Sequence, residues 1–196
     1  LLVVGVAVYL VTRKKSSKKS FWTAKTMAVG AMCMALSSVL SLIKLWPMPM
    51  GGSVTPASML PLLLFAYCYG VGPGMVLGAL YGVMQFLLDG MAWAALGAIP
   101  NLLDYPIAFG LLGLAGCFRG SKAKMTAGFV LGCFGRFMAS FLSGFIFYGQ
   151  YAPEGVNPVW YSLTYNGSYM LVECIICIAL GLLVGERLAK ELKKVA

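Results

Sequence analysis

The sequence predicts an all-α integral membrane protein built as a bundle of six transmembrane helices. Of its 196 residues, 60% are hydrophobic and only 11% are charged, whereas a soluble domain carries about 25% charged residues. The whole stretch between Lys44 and Asp89 contains no charged residue, which is typical of membrane-spanning segments. The composition therefore excludes a water-soluble globular domain.

Six apolar runs, separated by glycine, proline or charged residues, are the candidate helices. They cover roughly residues 27–43, 57–70, 74–88, 102–118, 125–148 and 163–184. The second and third are shorter than the ~20 residues that a membrane span needs, and a turn rich in glycine and proline joins them. We therefore expect these two helices to be tilted or partly irregular.

Basic segments flank the six helices. Residues 1–24 are an apolar fragment followed by a basic cytoplasmic stretch, residues 25–187 form the membrane domain, and residues 188–196 form a basic cytoplasmic tail. The first twelve residues are apolar but too few to span a membrane. We expect them to be the end of an additional helix or of a signal-anchor.

Lysine and arginine cluster in three places, which predicts the orientation. The clusters are Arg13 to Lys25, Arg119 to Lys124 and Arg187 to Lys194. With six spans all three fall on one side, which the positive-inside rule makes cytoplasmic. Both ends of the six-helix unit are thus expected inside the cell. Acidic phospholipid of the bilayer accounts for the net charge of +9, so no nucleic-acid partner is expected.

The residue types that are missing exclude several kinds of chemistry. The chain has no histidine, which removes histidine-based acid–base catalysis, Ser-His or Cys-His nucleophile pairs and most zinc sites. Cys174 and Cys177 have CxxC spacing but lie in an apolar run, where cysteine acts as a small hydrophobic residue. No GxxxxGK[ST] phosphate loop occurs. We therefore expect no enzyme, no catalytic residue, no cofactor and no metal site.

Three ionisable residues fall within the predicted spans, where an unpaired charge costs several kcal/mol. Arg136 and Glu173 lie roughly 18 and 15 Å below the outer ends of their helices, at 1.5 Å per residue. Because these depths match, we expect an ion pair between the two helices. Asp104 lies near the outer end of the fourth helix without an obvious basic partner. It is either a helix cap or interfacial carboxylate, or the group that balances a cationic ligand.

Polar and aromatic side chains gather at the outer ends of the fourth to sixth helices. On the fifth helix they recur every four residues and so share one side. A carboxylate beside aromatic rings is suited to binding an organic cation. An aromatic belt at the membrane interface would explain the tyrosines but not Asp104 or Asn166. The predicted ligand-binding residues are Asp104, Tyr105, Ser140, Gly144, Tyr148, Tyr161 and Asn166.

A stripe of small residues runs along the first helix. Ala24, Ala28, Ala31 and Ala35 lie on one face, and small residues at this spacing allow close approach of another helix in lipid. The stripe either packs within the chain or docks onto a partner protein.

Several segments, taken together and in order, resemble one family: the thiamine-specific substrate-binding subunits (ThiT, S components) of energy-coupling factor (ECF) transporters. The resemblance covers about residues 25–187. The segments that carry it are Gly51–Thr55, Met59–Pro61, Leu102–Pro106, Phe145–Gly155 and Tyr161–Gly167.

This resemblance implies a bundle of the ECF S-component type in the bacterial plasma membrane. It implies a high-affinity thiamine site near the outer face, covered by the loop after the first helix. Asp104 matches the acidic residue that faces the thiazolium ring. Tyr161 and Asn166 match residues that contact the aminopyrimidine ring, and Tyr148 matches an aromatic residue that stacks on that ring.

The family also implies partners. Ala31 and Ala35 match the AxxxA motif that docks the transmembrane coupling subunit. That subunit works with two cytoplasmic ATPases, so uptake of thiamine would be driven by ATP hydrolysis in the partner subunits.

The chain departs from the family at two places. Ser140 stands where many members have a histidine that hydrogen-bonds the ligand, so a thiamine precursor or another small vitamin is an alternative ligand. A lid tryptophan of some members would fall near Gly52, and Trp46 is the candidate substitute. A membrane scaffold without a ligand is a further alternative, although a scaffold does not need the carboxylate of Asp104.

Overall fold

The computed structural model describes residues 22–49 and 51–195, and most of them are helical. The helices are α1 (Ala24–Leu42), α2 (Leu60–Tyr69), α3 (Val71–Gln85), α4 (Ala98–Leu102), α5 (Ala108–Leu111), α6 (Lys122–Phe147), α7 (Pro158–Leu180) and α8 (Glu186–Val195). Three further segments are π-helical turns. Phe86–Gly90 extends α3, Leu103–Ile107 joins α4 to α5, and Gly181–Gly185 joins α7 to α8. Short 3-10 segments cover Met91–Leu96, Leu112–Cys117 and Gly149–Tyr151.

Five helical stretches in the described residues are long and apolar enough to cross a membrane. They are Ala24–Leu42, Val71–Gly90, Ala98–Cys117, Lys122–Phe147 and Pro158–Leu192. The predicted all-α membrane architecture is thus confirmed.

The second helix, α2, is the central element of the bundle. It has only 10 residues, or ~15 Å at 1.5 Å per residue, about half of the ~30 Å thickness of the hydrocarbon layer. Every residue from Leu60 to Cys68 is buried, as expected for a helix that is apolar on all sides. Short helices were expected here, and the irregular segment before α2, residues 55–59, is also largely buried.

Glycines let α3 lie very close to the Ala98–Cys117 stretch. A Cβ atom at Gly78 would lie 2.2 Å from the carbonyl oxygen of Phe109. One at Gly82 would lie 2.4 Å from the carbonyl oxygen of Tyr105. Small residues at such a crossing are the usual means of close helix packing in membranes. This contact fixes the position of the π-helical turn that carries Asp104.

Two predicted helix starts were wrong, both because of proline. α7 begins at Pro158 rather than at residue 163, with Asn157 accepting a 2.8 Å hydrogen bond from the amide of Val159. Proline is favoured in the first turn of a helix, where its missing N–H would have no partner anyway. For the same reason Pro100 lies within α4, which begins at Ala98 rather than at residue 102.

Two of the three basic clusters lie at the same end of the bundle. Lys122 Nζ is 4.0 Å from Oε2 of Glu186, which brings the start of α6 to the start of α8. The hydroxyl of Tyr69 donates a 2.7 Å hydrogen bond to the carbonyl oxygen of Leu192, so α8 also packs on the end of α2. The apolar start of the chain, and all of the first basic cluster except Lys25, lie outside the described residues.

A small hairpin follows α1 at the other end of the bundle. Its strands β1 (Trp46–Pro47) and β2 (Ser53–Val54) are antiparallel, with Trp46 opposite Val54. The hairpin leads directly into the buried irregular segment, in which Ala57 has a positive φ of 71°. A non-glycine residue in this conformation is uncommon and is often found at functional sites.

Candidate functional site

A cavity opens at the end of the bundle that carries the hairpin. Its volume is about 980 Å³, counted with the solvent space at its mouth. Its walls come from α1, the hairpin, α3, the Ala98–Cys117 stretch, α6 and α7. All seven predicted ligand-binding residues line it: Asp104, Tyr105, Ser140, Gly144, Tyr148, Tyr161 and Asn166.

Helix α6 supplies one wall because its cavity-facing residues repeat every four positions. Arg136, Ser140, Gly144 and Tyr148 all line the cavity, and each step of four residues rises by about 6 Å. The guanidinium group is therefore deepest and the tyrosine ring lies at the end of the helix. The two residues between them are small, so space for a ligand remains between these two larger groups.

The carboxylate of Asp104 projects from the π-helical turn Leu103–Ile107. Such turns insert an extra residue into a helix and are frequent at functional sites. The hydroxyl of Ser143 donates a 2.7 Å hydrogen bond to Oδ2 of Asp104. The helical stretch begins at Ala98 with Gly97 as its N-cap, so Asp104 lies well inside it. The helix-cap alternative for Asp104 was therefore wrong.

Tyr148 lies just beyond the end of α6, beside this carboxylate. Partial burial, followed by the negative charge of Asp104, raises the pKa of the Tyr148 hydroxyl. The phenol therefore stays protonated at neutral pH and remains a hydrogen-bond donor. A neutral ring next to a carboxylate can stack on a flat ligand whose positive charge the carboxylate balances.

The amide of Asn166 is fixed by its neighbours on α7. The hydroxyl of Tyr169 donates to Oδ1 of Asn166 at 3.1 Å, and Nδ2 of Asn166 donates to the carbonyl oxygen of Ser162 at 3.0 Å. This packing requires glycine at position 144, because a Cβ atom there would lie 2.4 Å from Oγ of Ser162. The close approach of α6 and α7 therefore places Asn166 at the cavity wall.

The structure brings Arg136 and Glu173 together at the inner end of the cavity. Nη1 of Arg136 is 3.8 Å from Oε2 of Glu173, whose side chain is 1% exposed. The guanidinium carbon also lies 4.1 Å from the centroid of the Phe109 ring, a favourable cation–π contact. Both charged residues line the cavity, so they belong to the site as well as to the interface between α6 and α7.

The irregular segment before α2 completes the inner end. Oε1 of Glu173 accepts hydrogen bonds from the hydroxyls of Thr55 and Ser58, the latter at 2.8 Å. These two residues are not among those predicted from the sequence. Thr55 belongs to a segment singled out by its resemblance to the family, but the segment has no helical periodicity that could show which side chains face inward.

Three further polar residues that line the cavity, Ser41, Tyr81 and Gln85, are also not among those predicted from the sequence. Oε1 of Gln85 accepts hydrogen bonds from Oγ of Ser41 at 3.2 Å and from the hydroxyl of Tyr81 at 3.1 Å. Gln85 is the only amide in the predicted third span, and this isolated polar group in an apolar run was a usable signal.

The hairpin lies over the cavity, but Trp46 does not line it. The amide of Gly52 donates to the hydroxyl of Tyr165 at 3.4 Å, whereas the Trp46 side chain is 59% exposed. The candidate role of Trp46 as a substitute lid tryptophan was therefore wrong. At the edge of the hairpin, Lys44 forms a 2.7 Å ion pair with Asp89.

The alanine stripe of α1 lies on the outside of the described bundle. Ala24, Ala28, Ala31 and Ala35 are all exposed, and the larger side chains beside them, Met32 and Leu36, are exposed as well. Of the two alternatives for this stripe, packing within the described part of the chain does not occur.

Comparison with known proteins identifies the family. The family model described as "Thiamine transporter protein (Thia_YuaJ)" matches residues 27–192. The chain is 38% identical over 144 residues to thiamine transporter ThiT of Bacillus subtilis, covering 66% of this chain and 73% of the relative. It is 31% identical over 170 residues to thiamine transporter ThiT of Lacticaseibacillus paracasei, covering 79% and 81%.

A solved structure, that of ThiT from Listeria monocytogenes, has the same fold. It superposes with a TM-score of 0.73 over 85% of this chain and 96% of that chain, at 20% sequence identity. The family match covers the whole bundle around the cavity, including all seven predicted ligand-binding residues. The chain therefore belongs to the thiamine transporter (ThiT) family.

Proposed function

We propose that this chain is the thiamine-binding subunit of an ECF-type importer, and that it binds thiamine in the cavity beside Asp104. The observation that carries the proposal is the placement of one carboxylate, held by Ser143 at 2.7 Å, in a cavity walled by tyrosines. Thiamine combines a permanently cationic ring with a flat aromatic ring. A half-buried carboxylate and aromatic faces match these two features.

The roles of the individual residues follow from their positions. Asp104 would balance the charge of the thiazolium ring, with Tyr105 beside it. Tyr148 would stack on the aminopyrimidine ring at the mouth, while Tyr161 and Asn166 contact that ring from α7. Ser140 and Gly144 leave room for the ligand along α6.

Ser140 also bears on the choice of ligand. Serine is shorter than the histidine that the family commonly has at this position and cannot become cationic. A thiamine precursor or another small vitamin would therefore be the second candidate ligand. The carboxylate of Asp104 favours a cationic ligand over a neutral precursor, and the presence of a lined cavity disfavours a scaffold that binds nothing.

Partner subunits would supply the energy for uptake. The chain has no phosphate-loop motif, so we propose two cytoplasmic ATPases and a transmembrane coupling subunit that docks on Ala31 and Ala35. Support for the docking comes from the exposure of both alanines on α1, where small residues permit close helix contact.

The cavity would face the outside of a bacterial plasma membrane. It lies at the end of the bundle away from Lys122 and α8, and the positive-inside rule assigns the basic end to the cytoplasm. Both ends of the six-helix unit would then be cytoplasmic, and the chain would receive thiamine from the external medium.

Calorimetric titration of the purified protein in detergent tests the proposal. Thiamine should bind with submicromolar affinity, and the separate neutral thiazole and pyrimidine halves should bind far more weakly. None of the tryptophans whose side chains are described lines the cavity, so heat of binding is a more direct measurement than tryptophan quenching. Absence of binding at high micromolar thiamine would overturn the proposal.

A further inference from the structure

We propose that Gln85 binds the hydroxyl group of the ligand's hydroxyethyl tail, in a subsite on the α1 and α3 side of the cavity. The cationic ring would lie against Asp104, with its tail toward α3 and the aminopyrimidine ring toward α7. This inference rests on the proposed function and adds a wall of the cavity that takes no part in the contacts of the two rings.

The amide of Gln85 is buried but has a free edge. The side chain is 9% exposed and lines the cavity. Its Oε1 atom accepts hydrogen bonds from Ser41 and Tyr81, whereas its Nε2 atom donates to no described residue. Because buried amide groups normally have partners for their donors, this free edge is suited to a polar group of a ligand.

The two hydroxyl groups hold the amide in place. Oγ of Ser41 lies 2.8 Å from the carbonyl oxygen of Ser38, and the hydroxyl of Tyr81 lies 3.3 Å from the carbonyl oxygen of Ser37. Both hydroxyls are thus anchored to the backbone of α1. The amide plane of Gln85 is therefore fixed before a ligand arrives, which lowers the entropy cost of binding.

A neutral hydroxyl is the group that fits this edge. With Oε1 of Gln85 on the two protein hydroxyls, Nε2 faces the cavity as a donor; after a 180° rotation of the amide, Oε1 faces it as an acceptor. A ligand hydroxyl both accepts and donates, so it satisfies the amide in either orientation. Asp89, a carboxylate of the same wall, is balanced by Lys44 at 2.7 Å, and this pair adds no net charge.

The π-helical turn that carries Asp104 lies between α3 and α6. On one side, a Cβ atom at Gly82 would lie 2.4 Å from the carbonyl oxygen of Tyr105, and Gln85 follows Gly82 by about 5 Å along α3. On the other side, Ser143 of α6 donates to Asp104 at 2.7 Å. A ring against this carboxylate therefore has the wall of Gln85 on one side and that of α6 and α7 on the other.

The covalent structure of thiamine matches these two sides. The aminopyrimidine ring is attached through a methylene group to the nitrogen of the thiazolium ring, and the hydroxyethyl tail is attached to a carbon two positions away around that ring. The two substituents therefore diverge. When the aminopyrimidine ring points toward α7 and Asp104 faces the thiazolium ring, the tail is directed toward α3 and Gln85.

The test is calorimetry with two ligands and the variant Gln85→Met. The ligands are thiamine and an analogue with an ethyl group in place of the hydroxyethyl tail. Wild type should bind thiamine about 3- to 10-fold more tightly than the analogue, the range for one neutral hydrogen bond. Methionine has nearly the shape of glutamine without its amide, so this preference should disappear in Gln85→Met. Ser41 and Tyr81 keep their backbone partners on α1, and the variant should therefore fold.

The matched control is Gln150→Met, the same substitution at an exposed glutamine whose Nε2 donates to the carbonyl oxygen of Phe147. It should keep the wild-type preference for thiamine. Should Gln85→Met not fold, Gln85→Asn withdraws the amide by one carbon and carries the same expectation. The inference is overturned if wild type binds both ligands equally, or if Gln85→Met keeps the full preference. If wild type binds neither ligand, the proposed function itself fails.

Discussion

Ser143 donates a 2.7 Å hydrogen bond to Oδ2 of Asp104, and this bond ties α6 to the π-helical turn of the neighbouring stretch. Ser143 itself is fully buried. The carboxylate is therefore held in one orientation at the cavity wall before a ligand arrives. Because a preoriented group loses little freedom on binding, this bond supports the role that we propose for Asp104.

Asp104→Asn should weaken thiamine binding by about 1.5–3 kcal/mol, the range for a hydrogen bond or contact that involves a charged group. This corresponds to roughly a 10- to 150-fold rise in Kd. Asparagine has nearly the same shape and can still accept a bond from Ser143, so the fold should persist. Calorimetric titration in detergent gives the change in affinity.

Asp89 is the matched control for this prediction, since it is another carboxylate on the cavity wall. Its charge is already balanced by Lys44 at 2.7 Å, so Asp89→Asn should weaken binding much less than Asp104→Asn. Equal losses for both variants would mean that the ligand responds to total negative charge rather than to the position of Asp104.

Gly144→Ala should reduce both stability and thiamine affinity. The new Cβ atom would lie 2.4 Å from Oγ of Ser162 and 3.0 Å from Nδ2 of Asn166, which forces α6 and α7 apart at the point where Asn166 is held. Overpacking of this kind costs about 1–3 kcal/mol. A thermal melt and a titration on the same preparation measure the two effects.

Gly167→Ala on α7 is the control for that substitution. A Cβ atom there meets only Cε2 of Phe137, at 3.9 Å, an ordinary contact. Because alanine favours a helix over glycine by roughly 1 kcal/mol, this variant should be as stable as wild type or slightly more so. A Gly144→Ala protein that behaves like Gly167→Ala would show that α6 and α7 can separate without cost.

The sequence was sufficient to predict the membrane fold and the cavity-lining residues that come from the Ala98–Cys117 stretch, α6 and α7. Charge-free apolar runs reveal membrane helices because lipid excludes unpaired charge. Regular spacing reveals the α6 face because residues four apart lie on the same side of a helix. Arg136, Ser140 and Gly144 were therefore identifiable without coordinates.

The contribution of the irregular segment before α2 depended on contacts that have no local pattern. Ser58 bonds to Glu173, 115 positions away in the sequence, from a segment that is neither helix nor strand. The contact of Ser143 with Asp104 depends on an irregular turn in a helix, which residue spacing does not reveal. Pro158 lies in the first turn of α7, before the predicted span of residues 163–184, because proline is well suited to that turn although it breaks helices internally.

Removing the carboxylate of Glu173 should destabilise the protein strongly. Glu173→Ala would leave Arg136 as an unbalanced buried charge and would remove the acceptor for Ser58. Breaking a buried pair in this way costs about 3–5 kcal/mol. Glu173→Gln keeps an acceptor oxygen and should lose less. Thermal melts in detergent give the order of stability.

The same pair can be tested by removing both charges. Arg136→Met combined with Glu173→Leu should be more stable than the sum of the single losses predicts, because no lone charge remains. Recovery should be incomplete, since the hydroxyls of Thr55 and Ser58 still lack their acceptor. Strictly additive losses would argue against an interaction between the two residues.

Replacing Ala31 and Ala35 together with leucine should separate binding from transport. Both alanines are exposed on α1 and neither lines the cavity, so the added bulk projects from the surface of the described bundle. Thiamine affinity of the isolated subunit and its level in the membrane should stay at wild-type values. Uptake of labelled thiamine by whole cells should fall sharply, because leucine prevents the close helix approach that small residues allow.

Ala127→Leu is the matched control, since Ala127 is an exposed alanine on α6, outside the stripe. It adds bulk of the same kind, at one position of the outer surface, and should leave uptake intact. If both variants lose uptake to the same degree, bulk on the outer surface of the bundle is harmful in general. If the double variant takes up thiamine at the wild-type rate while present in the membrane, the stripe does not dock a partner. Selective loss in the double variant alone would support the proposal that a coupling subunit docks on this face of α1.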